Sequence, residues 1–394
     1  MAGDYTRQIP RRGFALAMAA TILMMAAASA PSLFYPQIAE RLELVPVATT
    51  FVFAVYTFTL LAALLYLGPL SDHIGRRPVV TAGSLALALS LAMFWFADSL
   101  ATLLVARALQ GLAAGLLIPA LSAMMIDFEP PSHPNIAALW NTIGPMIGLG
   151  TGALGAALLL DLTPEPTTAV FGPLVLAFLT VAATVWSTPE LVPKTRIRRG
   201  DLRPRFMVPL HLRRMFTAGV PAIIAGWATN GLFLALGAGL VGSELGGSTH
   251  THAGIVIFAL AISGITASSV LQRRSARTIS LYATSALAFG TAASIVALAL
   301  GSYPAYVVSV AIVGSGFGTA FLGVLRTLMP HTASSERAAV MAVIYTVAYL
   351  AFGVPTIVAG LLVPVLTLSG TMTVLGAIII ALSLAATVLR LRIP

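Results

Sequence analysis

Cysteine is missing altogether from the 394 residues, which excludes disulfides, thiolate nucleophiles and cysteine-based metal sites. Charge is scarce as well. Asp, Glu, Lys and Arg make up 9% of the chain, against about a quarter in an ordinary soluble domain. With 58% hydrophobic residues, such a chain has too little polar surface to fold in water and reads as a polytopic membrane protein. No Ser/His/Asp set, phosphate-cradling loop or metal-ligand cluster stands out, so no catalytic residue, cofactor or metal is expected. His250 and His252 lie near Glu244 and read as polar residues of a short loop. Gly150, Gly152 and Gly155 spell a dinucleotide fingerprint, but no strand precedes them and they fall within an apolar run, so the match is a decoy.

The apolar runs are long. A bilayer needs roughly 20 apolar residues per helix, and twelve such runs are present: 14–35, 47–67, 78–97, 101–126, 135–160, 167–187, 215–241, 253–271, 279–300, 304–328, 338–363 and 370–390. "AAASA" near Ala30 imitates a signal-peptide cleavage site, yet the run 14–35 is long enough to span, so an uncleaved first helix is expected. The strands of a barrel would be about ten residues long with alternating polarity, and these runs are not. The expected fold is an all-α membrane protein of twelve helices in two pseudo-symmetric six-helix bundles, 1–187 and 215–394. A basic linker, 188–214, joins them.

Charge placement orients the chain. Twelve spans put both termini, the linker and every even-to-odd connection on one side, and 20 of the 22 basic residues fall there. The exceptions are Arg41, on the other side, and Arg107, inside span 4. The positive-inside rule makes the arginine-rich side cytoplasmic. The net charge of +9 then reflects topology and contact with anionic lipid, and no nucleic-acid partner is expected. The two halves also resemble each other. Span 4, "LLVARALQGLAAGLLIPAL", and span 10, "VSVAIVGSGFGTAFLGVLR", are both rich in Gly and Ala at helix-packing spacing, and spans 5 and 11 each carry a Gly-Pro or Gly-x-Pro. A duplicated six-helix unit suits a transporter with its substrate site near the bilayer midplane.

Between spans 2 and 3 lies "GPLSDHIGRR", Gly68 to Arg77. Gly68 would let another helix approach closely, and Gly75 would permit a tight turn. Asp72 and Arg76 are four apart and can pair on a helical turn, or Asp72 can face the positive N-terminus of a neighbouring helix. The block resembles the G-x-L-[AS]-D-x-x-G-R-[RK] signature of the major facilitator superfamily at every position. That resemblance implies a conformational latch built from Gly68, Asp72, Gly75, Arg76 and Arg77 that holds the outward-open state. It also implies Asp127, at the cytoplasmic end of span 4, as the acid that pairs with Arg76. "QRRSARTIS" after span 8 keeps Arg273, Arg274 and Arg277 but lacks the glycines and the acid, so the latch is expected on one side alone.

Two further stretches match the family in part. "RALQG", Arg107 to Gly111, resembles its R-x-x-x-G block, which is tied to proton movement. A charge two turns deep in a span is costly, so Arg107 either couples protons or snorkels to the outer interface. Gly144, Gly148 and Gly152 are spaced by four and make a smooth stripe for helix packing. Followed by Pro145, Gly144 also resembles the family's antiporter signature, without its earlier glycines.

None of the 13 acids lies at the midplane of a span. This disfavours a cationic substrate and points to a neutral, amphipathic or anionic one, whether drug, metabolite or sugar. Polar and aromatic candidates for a substrate cavity are Tyr35, Tyr56, Asn141, Trp227, Asn230, Tyr345 and Tyr349. The two asparagines serve either as helix-helix glue or as ligand contacts, and Tyr35 is either a cavity residue or an interfacial anchor. The expected protein is a monomeric exporter in a bacterial inner membrane, with cytoplasmic termini and the proton gradient as its driver. An importer or facilitator of a sugar or organic acid is the alternative within transport, and a non-transporting receptor or scaffold is the alternative outside it.

Overall fold

A computed structural model describes residues 2–133, 136–193, 195, 203, 206–333 and 336–392. The long helices are α1 (Ala2–Ser29), α2 (Pro46–Leu67), α3 (Arg76–Trp95), α4 (Leu100–Asp127), α5 (Ile136–Leu162), α6 (Pro166–Thr184), α7 (Arg213–Glu244), α8 (His250–Leu271), α9 (Ala276–Ala299), α10 (Tyr303–Leu328) and α11 (Arg337–Leu391). Among the described residues no strand is present, and eleven helices are long and apolar enough to cross a membrane.

The expected twelfth span is the second arm of α11. Its 55 residues would stretch about 80 Å at 1.5 Å per residue, far beyond a hydrocarbon core of about 30 Å. The helix is broken at Thr367, whose φ of 66° and ψ of 172° are not helical. Pro364, just before the break, has no N–H to donate to the carbonyl of Gly360. The Thr367 hydroxyl accepts from the Gly370 N–H at 3.3 Å and so starts the second arm. The apolar runs 338–363 and 370–390 fall on either side of this break.

Close contacts divide the chain into two compact units. The first comprises Met1–Pro31, Val55–Gly152 and Leu162–Pro204, and the second Ser32–Ala54, Ala153–Asp161 and Arg205–Pro394. In the first unit α3 packs on α4 and α6, and α1 packs on α4. The Ser90 hydroxyl donates to the Ala106 carbonyl at 2.7 Å and fastens α3 to α4. Phe14, Ala17, Ala20, Met24 and Ala27 are buried along one face of α1, at the three- and four-residue spacing of a helix.

In the second unit α9 and α8 pack on α10, and α7 packs on α11. A core of Leu212, Ile223, Leu328, Val340, Ile344 and Ala348 is completely buried. The Ser268 hydroxyl reaches the Gly318 carbonyl at 2.9 Å, and Thr387 donates to the Thr284 hydroxyl at 2.7 Å. Interhelical hydrogen bonds of this kind, with small residues at the contacts, hold helices together where lipid removes the hydrophobic drive. Large apolar side chains such as Leu89, Leu176, Phe289 and Val308 stay exposed, as a lipid-facing surface requires.

Candidate functional site

The turn after α2 is built around Arg76. The short helix Leu70–Ile74 ends at Gly75, whose φ of +100° is left-handed and closed to most side chains. Arg76 then opens α3. Its Nη1 donates to the Asp72 carboxylate and, at 2.8 Å, to the Ser71 hydroxyl, while its Nε donates to Asp127 at 3.1 Å. Asp72, Arg76 and Asp127 therefore form one charged group.

Two details differ from the sequence reading. The acid at the N-terminus of α3 is Glu190, beyond α6, and not Asp72. Glu190 accepts the backbone N–H groups of Arg76 at 3.1 Å and of Arg77 at 3.0 Å, which offsets the positive end of that helix. The tightest neighbour of Gly68 is not another helix. A Cβ there would collide with the carbonyl of Leu64, one turn back in its own chain, whereas Pro119 on α4 lies 3.9 Å away.

Arg107 is completely buried, so it does not snorkel to an interface. It donates from Nη1 to the Gln110 side-chain carbonyl and, at 3.4 Å, to the Ala28 carbonyl of α1. Gln110 in turn donates to the Ala27 carbonyl at 2.8 Å. The guanidinium carbon lies 5.5 Å from the Tyr56 ring centre and 5.2 Å from that of Phe94. In these contacts carbonyl dipoles and two aromatic faces bring negative potential to the guanidinium. One turn further along α4, Gly111 faces Tyr56, Thr59 and Leu60 of α2 so closely that any Cβ would overlap them.

Gly148 and Gly152 on α5 let α1 approach: a Cβ at either would strike the backbone of Ile22 or Ala26. Gly144, in the same stripe, has its nearest α1 atoms only at 3.9 Å. Pro145 lies within α5 and leaves the Asn141 carbonyl without its helical donor. The Asn141 side chain donates to the Ser122 carbonyl of α4 at 3.4 Å, a helix-helix contact.

The remaining cavity candidates separate. Tyr56 is buried beneath Arg107, and Tyr35 is buried at the start of the short helix Tyr35–Arg41 in the second unit. Trp227, Tyr345 and Tyr349 come together in that unit as an aromatic nest. The Trp227 ring centre is 4.9 Å from Tyr349, 6.0 Å from Phe321, 6.1 Å from Phe352 and 6.4 Å from Phe317. Tyr345 stands 6.0 Å from Phe321 and 6.3 Å from Tyr349. The Trp227 Nε1–H and, three residues on, the Asn230 Oδ1 are buried with no hydrogen-bond partner among the described residues. One donor thus stands in a wall of rings, and one acceptor lies about a turn further along α7. The phenylalanines escaped the sequence reading because they are indistinguishable from the lipid-facing phenylalanines of neighbouring runs.

A second missed feature is Asp161, at the end of α5. It accepts the backbone N–H groups of His250 at 3.0 Å and Thr251 at 2.7 Å, together with the Thr251 hydroxyl, and pairs with His250 Nδ1 at 2.8 Å. It thereby caps the N-terminus of α8. The Gln37 amide nitrogen lies 3.1 Å from the other ring nitrogen, His250 Nε2. His250 is therefore a helix-end residue in a polar cluster and not a plain loop residue. A separation of 89 residues leaves no local signal for the pairing.

The model of the Major Facilitator Superfamily matches residues 17–355. The chain is 31% identical over 242 residues to the multidrug efflux pump LfrA of Mycolicibacterium smegmatis, covering 57% of this chain and 42% of that protein. It is 27% identical over 179 residues to the multidrug resistance protein MdtL of Escherichia coli O81, covering 44% and 46% respectively. A 45-residue stretch is 53% identical to the multidrug resistance protein MdtM of Escherichia coli K12, covering 11% of each chain. The match thus spans less than half the length of each of these relatives. With this match over most of its length and a fold of membrane-spanning helices, the chain belongs to the Major Facilitator Superfamily, a family of membrane transporters rather than enzymes.

Proposed function

We propose that the chain is a secondary transporter that exports small, uncharged or anionic amphipathic molecules by alternating access, driven by proton influx. The observation that carries this reading is the aromatic nest around Trp227. Its rings offer stacking faces to a flat apolar body. The Trp227 donor and the Asn230 acceptor offer one hydrogen bond each, and a ligand that used them would relieve two buried, unpartnered groups. None of the ring neighbours described around Trp227 is a carboxylate, so no formal negative charge selects a cation there, and an uncharged aromatic body is what the nest fits best. Relatives named as multidrug efflux and multidrug resistance proteins support export of drug-like molecules.

The bundles 1–187 and 215–394 would be the moving halves, with 188–214 as their cytoplasmic connector and both termini on the same side. The group Asp72, Arg76 and Asp127 would act as the latch of one state. Arg107 would link proton movement to the cycle, its guanidinium being the buried charge whose surroundings a conformational change must alter. The setting would be the inner membrane of a bacterium, with the protein working as a monomer.

The test uses the full chain expressed in an efflux-deficient bacterium and an uncharged aromatic dye as probe. Cells with the wild-type chain should hold less dye than empty cells. Trp227→Ala should abolish the difference while the protein reaches the membrane in equal amount. Equal dye content in wild-type and empty cells across neutral, anionic and cationic dyes would contradict export. Unimpaired efflux by Trp227→Ala would remove the nest from the route.

A further inference from the structure

In the second unit, near the end of α11, α7, α9, α10 and α11 surround a narrow crevice. Its inner wall is alanine: Ala222, Ala283, Ala320 and Ala386. Arg390 is the one charged residue that lines it. Its Nε and Nη1 are buried without a hydrogen-bond partner among the described residues. The neighbouring charge that acts on it is another cation, Arg277.

No atom of the wall accepts a hydrogen bond from the buried Nε and Nη1 of Arg390 among the described residues. Ser280 and Thr327 turn their hydroxyl protons to the carbonyls one turn back, Ala276 and Gly323, and the Thr284 hydroxyl does the same toward Ser280. An arginine in the last turn of a helix often caps its final carbonyls, but the unpartnered nitrogens show that Arg390 does not. Its neighbours along the helix, Val388, Leu389 and Leu391, are exposed and apolar, as residues facing lipid are. The arginine distribution of the sequence assigns this end of the helix to the cytoplasmic leaflet, where anionic lipids concentrate and basic pockets between helices hold their headgroups.

We infer that this crevice binds a phosphate-type oxoanion through Arg390, presented either by an anionic lipid headgroup or as a free ion. The planar guanidinium suits such a group. The crevice is too narrow to enclose such a group, so the oxoanion would meet Arg390 from the surface, and the exposed apolar side chains around Arg390 give acyl chains a surface to follow. The inference is independent of the cargo and of the direction of transport.

The experiment is native mass spectrometry of the full chain, released from vesicles of equal parts phosphatidylglycerol and phosphatidylcholine. Wild type should retain phosphatidylglycerol in preference to phosphatidylcholine. Arg390→Gln should lower that preference about fivefold, the scale of one basic residue at an anionic surface. Arg392→Gln, an exposed arginine two residues on, should leave it unchanged. Melting of Arg390→Gln in neutral detergent, matching wild type, shows that the variant is folded. A second arm adds inorganic phosphate to lipid-free protein. Stabilisation of wild type but not of Arg390→Gln, with displacement of the lipid, would assign the same site to a free ion. Equal lipid retention by wild type and Arg390→Gln without a phosphate response, or equal losses in Arg390→Gln and Arg392→Gln, would overturn the inference.

Discussion

Helices α4 and α10 are corresponding members of the repeat, and they have kept and lost different things. On α4, Gly111 and Gly115 sit against α2, where Tyr56, Leu60 and Ala63 leave no room for a Cβ. On α10, Gly314 and Gly318 sit against α8 at the same four-residue interval, against Leu260, Ser263 and Gly264. In that register Arg107, four residues before Gly111, corresponds to Val310, four residues before Gly314. Both are completely buried. In the same register Asp127, at the end of α4, falls opposite Pro330, and the charged residue near the end of α10 is Arg326. Arg326 donates to the backbone carbonyl of Arg274 at 3.2 Å and meets no acid among the described residues. The two helices therefore share their backbone packing, and the buried charge and the ion pair belong to α4 alone. Packing is the common scaffold, and charge is where the two helices differ.

The largest effect should come from breaking what is common. Gly111→Val and Gly314→Val each push a branched side chain into a neighbouring backbone. Each should cost about 1–3 kcal/mol, toward the upper end because backbone cannot rotate away. Thermal unfolding in detergent should show similar losses for both. A large loss for one alone would mean that the repeat is not conserved in packing.

A smaller structural effect with a sharper functional one is expected at the next pair. Val310→Ala should cost about 2 kcal/mol of stability, since it deletes buried methyl groups, and should leave coupling intact. Arg107→Gln should leave substrate binding measurable by thermal shift but remove the response of transport to an imposed pH gradient.

The smallest effect is expected at the helix ends. Asp127→Asn should cost about 0.2–1 kcal/mol, as partly exposed ion pairs do, and the loss should shrink in high salt because screening weakens the pair in wild type as well. Arg326→Gln removes a bond to a carbonyl and should give a loss that responds less to salt. Chemical unfolding at two ionic strengths checks both.

Much of this arrangement could be read from the chain beforehand. Helix number follows from the length a bilayer demands, and α11 departs from it only because hydrogen bonding runs on past Thr367 into the second arm. The charged turn was readable because Asp72, Gly75 and Arg76 are neighbours. Glu190 was not, because it comes from beyond α6. Arg107 stood out as a lone charge in an apolar run, yet its surroundings come from three other helices: the Ala27 and Ala28 carbonyls, Tyr56 and Phe94. Tyr345 and Tyr349 share a face by their spacing, but Phe317 and Phe321 join them only through the packing of α10. Sites assembled from one turn can be read locally, and sites assembled across helices need the fold.

The central claim is that the buried charge of α4 couples protons to export. The most direct measurement uses the purified chain in proteoliposomes, with an uncharged aromatic dye and a pH gradient imposed with the cytoplasmic face outward. The account predicts that wild type accumulates dye inside while protons leave, that a protonophore abolishes accumulation, and that Arg107→Gln merely equilibrates the dye. Gradient-driven accumulation by Arg107→Gln equal to that of wild type would contradict it.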